Sequence, residues 1–352
     1  MSQQDILFEY FNLYGGVSMK SNEFLNELKA HLSSIPDDEQ NIIIEYFSEI
    51  ISDKIDDGQN EEQIISELGS PESIAKTIIQ DYQENNVQPE KSNKRFEQIE
   101  KEYEACNIKS IKVDINNSTV ILKQNNNDNI KITYFTNKYC PKKIENIDGN
   151  ITLEKDLTSQ KSIMKQIIGN FLIWTIHDPK TIIEIPRKCT NLKLDIHTNN
   201  AKALVDNITA KNLNVKTSNG KIHISNLNSN EVLLHTSNGG ISADNTAVKS
   251  FNAKTSNGRI DLIDVNSPNK LHIKTSNGAI SIKNILSDDI SLVTSNGKID
   301  GNIIGEINNY NISSKTSNGN NSLKVYNNQN PNPNKNLLAH TSNGDIAVIF
   351  TK

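Results

Sequence analysis

The sequence predicts a two-part fold: a small helical bundle at the N-terminus followed by a β-solenoid, a β-helix expected to be right-handed with coils of 19–20 residues. Three observations predict it. Residues 20–85 carry apolar positions at helical spacing, later residues form short alternating patterns, and Thr-Ser-Asn-Gly occurs seven times. A fixed period of about twenty residues indicates one structural unit that is stacked many times.

Composition and local pattern divide the chain into four parts. Its 352 residues are enough for two or three domains. Residues 1–19 resemble nothing that follows and are assigned to an N-terminal extension, and residues 20–85 to a four-helix signalling domain. The charged segment 86–108 is typical of a linker, and residues 109–352 carry the β-solenoid.

Four helices are predicted between residues 20 and 85. Ser21 suits the cap of the first helix, and Pro36 suits the first turn of the second. Asn60 is expected to cap a short third helix that ends at Gly69. A fourth helix is expected to start at Pro71, so the region predicts a small acidic helical domain.

This helical region resembles the bacterial HAAS-type α-helical signalling domain. The most specific part is Ile-x-Glu-Leu-Gly-x-Pro-x-x-Ile-Ala, from Ile65 to Ala75. Phe-Leu-Asn-Glu-Leu at 24–28, Ile-Pro at 35–36 and Glu-Tyr-Phe at 45–47 add to the resemblance. In that family the domain commonly precedes a membrane or envelope module, in operons with PadR-like regulators. The resemblance implies contact with a protein partner rather than chemistry.

The repeat itself is Thr-Ser-Asn-Gly with alternating apolar residues on both sides. A degenerate copy at 198–201 precedes the seven copies, and the spacings from it are 19, 19, 19, 20, 19, 22 and 25 residues. Period-2 alternation places the flanking apolar residues on one face. The copies begin at Thr217, Thr236, Thr255, Thr275, Thr294, Thr316 and Thr341.

Two architectures fit this pattern. Asn-Gly between alternating strands is typical of a β-hairpin, so the repeats could form a meander. Alternatively each repeat is one solenoid coil, which better explains why all four turn positions repeat. The residues expected to be structural turns are Asn219, Gly220, Asn238, Gly239, Asn257, Gly258, Asn277, Gly278, Asn296, Gly297, Asn318, Gly319, Asn343 and Gly344.

Degenerate coils are expected at 111–190, where residues 116–118 and 148–150 resemble eroded turns. The array from about residue 109 to 352 resembles a family of candidate adhesins built from stacked β-strand repeats, the domain of unknown function 4097. Its hallmark is a repeated x-x-Thr-Ser-Asn-Gly-x-Ile. HAAS-type helices before such an array occur in surface proteins of the Lia envelope-stress system. The resemblance implies a role near the bacterial envelope and no shared enzymatic activity.

The residue before each repeat threonine forms a candidate anion- or lipid-facing strip. Seven of the eight positions, counted from the degenerate copy, are Lys or His, and their parity places them opposite the core. The alternative is that exposed strand positions simply tolerate Lys and that nearby acidic residues neutralise it. The seven residues are His197, Lys216, His235, Lys254, Lys274, Lys315 and His340.

A second candidate is the apolar segment 167–176, which contains Phe171, Leu172 and Trp174. It is too short to span a bilayer, but its aromatic residues suit a membrane interface. The alternative is a cap over the first coil, which a solenoid otherwise leaves with an apolar end.

Catalytic, metal and cofactor sites are not expected. A calcium-dependent polysaccharide-cleaving site needs Asp residues clustered on one face, and no common column is expected for Asp261, Asp264, Asp288, Asp289, Asp300 and Asp345. No phosphate loop or HExxH motif occurs. The three cysteines, Cys106, Cys140 and Cys189, form no metal-type pair. The net charge of −5 gives no overall attraction for nucleic acid.

These observations favour a non-catalytic envelope-stress sensor or scaffold over two alternatives. One is an adhesin-like surface protein that binds an external ligand, and the less favoured one is a polysaccharide-acting enzyme. The N-terminal sequence lacks a secretory pattern. A cytoplasmic location is therefore expected, with peripheral membrane association or surface exposure without a signal peptide as the alternatives. The partners expected are a protein at the helical domain and an anionic lipid or cell-wall polymer at the strip.

Overall fold

The structure, a computed structural model, describes residues 19–56, 59–86, 96–136, 141–156, 180–324 and 331–352. The described residues form one helical unit and one β-rich unit. The predicted combination of a small helical part and a large solenoid-like β part is confirmed.

The helical unit has four helices in its described part, as the sequence predicts. Their apolar faces share one core, which includes Phe24, Leu28, Phe47, Ile64 and Ile74, each at most 1% exposed. The helices are α1 (Ser21–His31), α2 (Asp37–Asp56), α3 (Glu61–Leu68) and α4 (Pro71–Asn86).

Local signals set the helix ends largely as expected. The Asn60 side chain accepts a hydrogen bond from the backbone N–H of Glu62 at 2.8 Å, which caps α3. Gly69 ends α3 with φ of +88°, a conformation that favours glycine. Ser21 differs from the prediction because it is the first helical residue and its side chain does not cap α1. Its hydroxyl instead donates to the Glu61 carboxylate, which ties α1 to α3.

The β-rich unit consists of short strands that alternate between buried and exposed residues. The strands before residue 200 are β1 (Glu97–Glu104), β2 (Ser110–Asp114), β3 (Val120–Asn125), β4 (Asn129–Thr136), β5 (Lys142–Ile147), β6 (Asn150–Lys155), β7 (Thr181–Pro186) and β8 (Lys193–His197).

The later strands are β9 (Ala203–Asp206), β10 (Thr209–Lys216), β11 (Ile222–Ser225), β12 (Asn228–His235), β13 (Ile241–Lys254), β14 (Ile260–Asn266), β15 (Lys270–Lys274), β16 (Ile280–Ile285), β17 (Asp289–Val293), β18 (Ile299–Ile304), β19 (Tyr310–Lys315), β20 (Lys335–His340) and β21 (Ile346–Thr351).

Repeat positions pair in parallel from one coil to the next. Leu213 of β10 pairs with Val232 of β12, and Val232 pairs with Phe251 of β13. The strands after the corner pair in the same way, with Ile222 beside Ile241. A meander of hairpins would pair neighbouring strands antiparallel, so these coils stack as a solenoid.

The solenoid core is made of the apolar residues on the inward side of both strands. In one coil Leu213, Val215, Ile222 and Ile224 are each at most 1% exposed. Equivalent residues of successive coils lie directly above one another, about 4.8 Å apart. One continuous core results, and it extends from the first coils to β21.

The N-terminal end of the solenoid departs from two predictions. The predicted linker 86–108 contains β1, which pairs antiparallel with β4, because Ile99 and Tyr103 pack against the core. The predicted eroded corner at 148–150 is instead the two-residue turn of the β5–β6 hairpin. Asp148 and Gly149 both have positive φ there, as a type I′ turn requires. Strand β4 also pairs antiparallel with β7 at this end.

The C-terminal coils do not stack in chain order. Strand β20 lies between β17 and β19, and β21 pairs with β18. The chain therefore forms the coil of β19 first and then returns to insert β20 beneath it. The longer spacings of 22 and 25 residues coincide with this detour.

Candidate ligand-binding face of the solenoid

The residues before the repeat threonines lie in one column across the parallel strands. We call the seven Lys and His members the basic column. The order differs from the chain order only at the end, where His340 precedes Lys315. From the N-terminal end the positions are His197, Lys216, His235, Lys254, Lys274, Val293, His340 and Lys315.

The basic column faces away from the core. Its four lysines are exposed and its three histidines are half-buried. Neighbouring members are about 4.8 Å apart, the spacing of paired strands. On the N-terminal side the column continues through Asp114, which pairs with His197, to Glu154. The surface therefore changes from acidic to basic along the solenoid.

Direct ion pairs do not neutralise the lysines of the column. Asp195 lies 3.1 Å from His197, measured from Oδ1 to Nε2. Across the described ranges, no carboxylate oxygen lies within 4.0 Å of the ammonium of any column lysine. Burial, together with the charges of Lys254 and Lys216, holds the pKa of His235 below its usual value. His235 thus responds to the positive potential of its neighbours.

The threonine of each repeat lies inside the corner. Thr236 is fully buried, and its hydroxyl lies 3.1 Å from the carbonyl oxygen of Ser218 and 3.2 Å from that of Gly220. The same hydroxyl accepts a hydrogen bond from the backbone N–H of Gly239 at 3.1 Å. Thr255 makes the equivalent contacts one coil further on. The hydroxyl therefore joins its own corner to the preceding one.

The repeat glycine is required by close contact between corners. A Cβ on Gly239 would lie 1.9 Å from the carbonyl oxygen of Gly220, and one on Gly258 would lie 1.8 Å from that of Gly239. These distances are far inside van der Waals contact, and both partners are backbone atoms. The adjacent Gly240 differs, since its Cβ would meet only the carbonyl oxygen of Arg259 at 3.3 Å.

The repeat asparagines form a continuous ladder of side-chain hydrogen bonds. Each Nδ2 donates to the Oδ1 of the preceding coil at 2.6–3.0 Å. The ladder includes the degenerate copy, through Asn200, and the eroded corner at 116–118. Its members are Asn117, Asn200, Asn219, Asn238, Asn257, Asn277, Asn296, Asn343 and Asn318.

Sequence reasoning missed a second corner that occurs in five successive coils. Its central residue has positive φ, between 45° and 56°, and is Asn or Asp in five successive coils. Each lies nine residues after the first position of the Thr-Ser-Asn-Gly corner or its degenerate copy, so the period itself was a usable signal. The residues are Asn207, Asn226, Asn245, Asp264 and Asn284.

The remaining candidates lie in three places. Phe171, Leu172 and Trp174 lie outside the described residues, as does the extension 1–18. Of the six Asp residues weighed as a calcium site, two do share a column. Asp261 and Asp300 both pair with Ser281, and each lies beside a basic side chain, Arg259 or Lys298. Asp206 and Asp244 form a second such pair, on either side of Ser225. In the described part, no group of three or more His, Cys, Asp or Glu is placed to hold a metal ion.

The fold and this surface define a class: a repeat-built β domain that presents ordered columns of side chains, with a helical domain before it. The chain belongs to the Toastrack DUF4097 family, whose model matches residues 108–349. The HAAS model matches residues 23–77. Both resemblances proposed from the sequence are therefore confirmed. No curated protein matches the chain. None of the described helices is long and apolar enough to cross a membrane.

Two solved structures are similar to the chain. One is a candidate cell adhesion protein from Clostridium sporogenes, 14% identical, covering 73% of this chain and 100% of its own, with a TM-score of 0.24. The other is a candidate adhesin from Bacteroides fragilis, 15% identical, covering 72% of this chain and 97% of its own, with a TM-score of 0.33.

Proposed function

We propose that this chain is a non-catalytic scaffold and sensor of the bacterial cell envelope. The basic column binds repeated anionic groups, those of a cell-wall polymer or of lipid headgroups, and the helical domain contacts a regulatory protein. The observation that carries the proposal is the register, which aligns the exposed Lys216, Lys254 and Lys274 in one outward-facing row with two half-buried histidines.

The spacing of the column favours an extended ligand over a compact one. Like charges about 4.8 Å apart repel, and a row of anions relieves that repulsion along its whole length. The lowered pKa of His235 is consistent with such an uncompensated potential. The side chains lie on rigid parallel strands, so binding costs little conformational entropy beyond that of fixing the lysine rotamers.

The helical domain supports the regulatory part of the proposal. It has its own apolar core, as an independently folded domain requires. The HAAS match over residues 23–77 supports a regulatory role for it. The combination with a Toastrack array supports the envelope-stress role, in which ligand binding on the solenoid is reported through the helices.

The test is cosedimentation of the full chain with phosphatidylglycerol vesicles, and separately its binding to polyglycerol phosphate. The column variant replaces Lys216, Lys254, Lys274 and Lys315 by Gln. A matched control replaces Lys101, Lys180, Lys249 and Lys283 by Gln, so both variants lose the same charge. A lysine near an anionic surface contributes about 1 kcal/mol. We therefore expect the column variant to bind at least about tenfold more weakly, with a reduced salt dependence.

The control variant is expected to stay within about twofold of the unmodified protein. Equal losses in both variants would show that only net charge matters, and unchanged binding by the column variant at low salt would overturn the proposal. A pull-down of the full chain under antibiotic stress tests for the helical-domain partner. Cell fractionation addresses the adhesin-like alternative, which requires the protein at the cell surface.

A further inference from the structure

A separate cleft lies where the regular coils meet the irregular strands at the N-terminal end of the solenoid. Its volume is about 800 Å³. Three parts of the β-rich unit line it: residues 105–110, the start of β6 at Asn150, and residues 188–193 with Lys211. None of its residues belongs to the basic column.

The cleft is strongly basic. Four lysines line it, Lys109, Lys188, Lys193 and Lys211, and none of the lining residues is Asp or Glu. Lys188 is paired with Asp128, with Nζ and Oδ1 2.5 Å apart. Among the described residues, no carboxylate oxygen lies within 4.0 Å of the other three ammonium groups.

Nearby carboxylates are already engaged elsewhere. Asp195, two residues along β8 from Lys193, accepts a hydrogen bond from Asn214 at 2.7 Å and lies beside His197. Glu231 accepts from Asn212 at 3.1 Å. These carboxylates keep their charge but lie outside the lining, so the charged groups that face the cleft are all basic.

The backbone holds these lysines in fixed positions. The N–H of Lys109 donates to the carbonyl oxygen of Gly149 at 2.7 Å, and the N–H of Lys193 donates to that of Lys109 at 3.1 Å. The N–H of Lys211 donates to the carbonyl oxygen of Leu192 at 2.8 Å. The backbone segments that carry these three lysines are thus connected by hydrogen bonds. Ser110 and Thr190 add hydroxyl groups to the lining.

We propose that this cleft binds a multiply charged phosphate group, as carried by a phosphomonoester or an oligophosphate. Ammonium groups gathered on a rigid framework repel one another, and a di- or trivalent anion offsets that repulsion at several of them together. A lysine ammonium binds phosphate as a point charge on a flexible side chain. It does not require the planar, two-point geometry through which arginine binds. The proposal does not rest on the basic column.

Two thiols in the lining provide a built-in reporter. Cys106 is exposed and Cys189 is half-buried. Burial raises the pKa of the Cys189 thiol, so Cys106 is expected to alkylate first. A ligand in the cleft lies over Cys106 and slows its reaction.

The primary experiment is calorimetric titration of the full chain with tripolyphosphate at low salt. The cleft variant replaces Lys109, Lys193 and Lys211 by Gln, and its matched control replaces Lys101, Lys249 and Lys283 by Gln. We expect the cleft variant to bind at least about tenfold more weakly. The matched control and the column variant should each stay within about twofold.

A second measurement uses alkylation of Cys106 in a Cys140→Ser background. Tripolyphosphate should slow the reaction several-fold in that protein and leave it unchanged when the three cleft lysines are also replaced. Parallel titrations with a sugar phosphate and with phosphatidic acid vesicles distinguish a soluble phosphate from a lipid headgroup. Dependence on the three lysines with any of these probes supports the site.

The proposal is overturned if no probe binds, or if the cleft variant binds each probe as the unmodified protein does. Equal losses in the cleft variant and its matched control also overturn it. Circular dichroism of each variant separates loss of the site from loss of the fold. Loss of binding in the column variant alone would assign the phosphate to the basic column and so contradict a separate site.

Discussion

In five successive coils, two kinds of corner turn the chain between strands by different physical means. The Thr-Ser-Asn-Gly corner is packed so closely that a Cβ on its glycine would lie 1.8–2.3 Å from a backbone oxygen of the corner stacked before it. The second corner needs only one residue with positive φ, which Asn and Asp both tolerate. Steric exclusion fixes a sequence, whereas a backbone preference leaves a choice.

This difference explains why one corner is conspicuous in the sequence and the other is not. The first corner depends on a buried hydroxyl, an amide ladder and a glycine, so all but its second position are constrained by contacts. The second corner shows only Asn or Asp once per coil. Three substitutions and one pH dependence test this difference between the corners, in order of decreasing expected effect.

The largest effect is expected from Gly239→Ala. The new methyl group would lie 1.9 Å from the carbonyl oxygen of Gly220, and the coils must separate to admit it. Overpacking of a core typically costs about 1–3 kcal/mol, and this contact is backbone against backbone, so we expect at least about 3 kcal/mol. Urea denaturation measures it. Gly240→Ala is the control and should cost less than about 1 kcal/mol.

Thr236→Val is expected to come second. Valine has nearly the same shape but removes the hydroxyl that bridges two corners, so buried backbone groups of Gly220 and Gly239 lose a partner. An unsatisfied buried group costs about 1–3 kcal/mol, and we expect about 2–3 kcal/mol in the free energy of unfolding. Ser237→Ala, at the next and more exposed position, should change it by less than about 0.5 kcal/mol. Equal effects would contradict the assigned role of the threonine.

At the second corner, Asn245→Ala should cost about 1–2 kcal/mol. Alanine is strained at the φ of 45° seen here and cannot donate to Asn226 Oδ1, 2.7 Å from the Asn245 amide. Asn245→Gly adopts this φ freely and should cost less than the alanine variant. The same denaturation assay compares them. A glycine variant that is less stable than the alanine variant would show that backbone strain is not the controlling factor.

The smallest effect is the pH dependence at Asp206. Hydrogen bonds from the Ser225 hydroxyl and the Asn226 amide lower the pKa of this carboxyl. A lowered folded-state pKa contributes stability above the ordinary Asp range, about pH 4, and that contribution is lost as the pH falls through the folded pKa. Asp206→Asn should therefore reduce the loss of stability on acidification. A pH series of thermal melts of both proteins checks it, and identical slopes would contradict the prediction.

The repeat and its alternation were sufficient to predict the regular part of the molecule. Inward residues such as Leu213 and Ile222 are buried, and the parity argument placed Lys216 and Lys254 on the outer face. These predictions succeed because parallel stacking puts equivalent positions of each coil side by side. Whether the basic column binds an anion remains a prediction.

The ends of the solenoid could not be predicted from the period. Strand β20 lies beneath β19 although it follows it in the chain, and the repeats of both strands carry the same corner. Whichever of β19 and β20 stacks first, asparagine lies on asparagine and apolar residues lie on apolar residues. The local pattern therefore does not determine the stacking order of the two strands. The strand β1 was hidden because its charged residues outnumber Ile99 and Tyr103, the two that pack against the core. The cleft at 105–110 could not be predicted either, because it forms where the repeat is interrupted.

The inserted position of β20 also bears on how the domain responds to mechanical load. Tension applied through the chain beyond β21 acts on strands that are each paired with an earlier coil, and β20 is held on both sides. The coil under tension is therefore not the outermost one, and it cannot simply be peeled away first. Two sets of backbone hydrogen bonds must shear together before the coil comes free. A solenoid pulled from that side should resist extension more strongly than an array whose last coil is also the last in the chain.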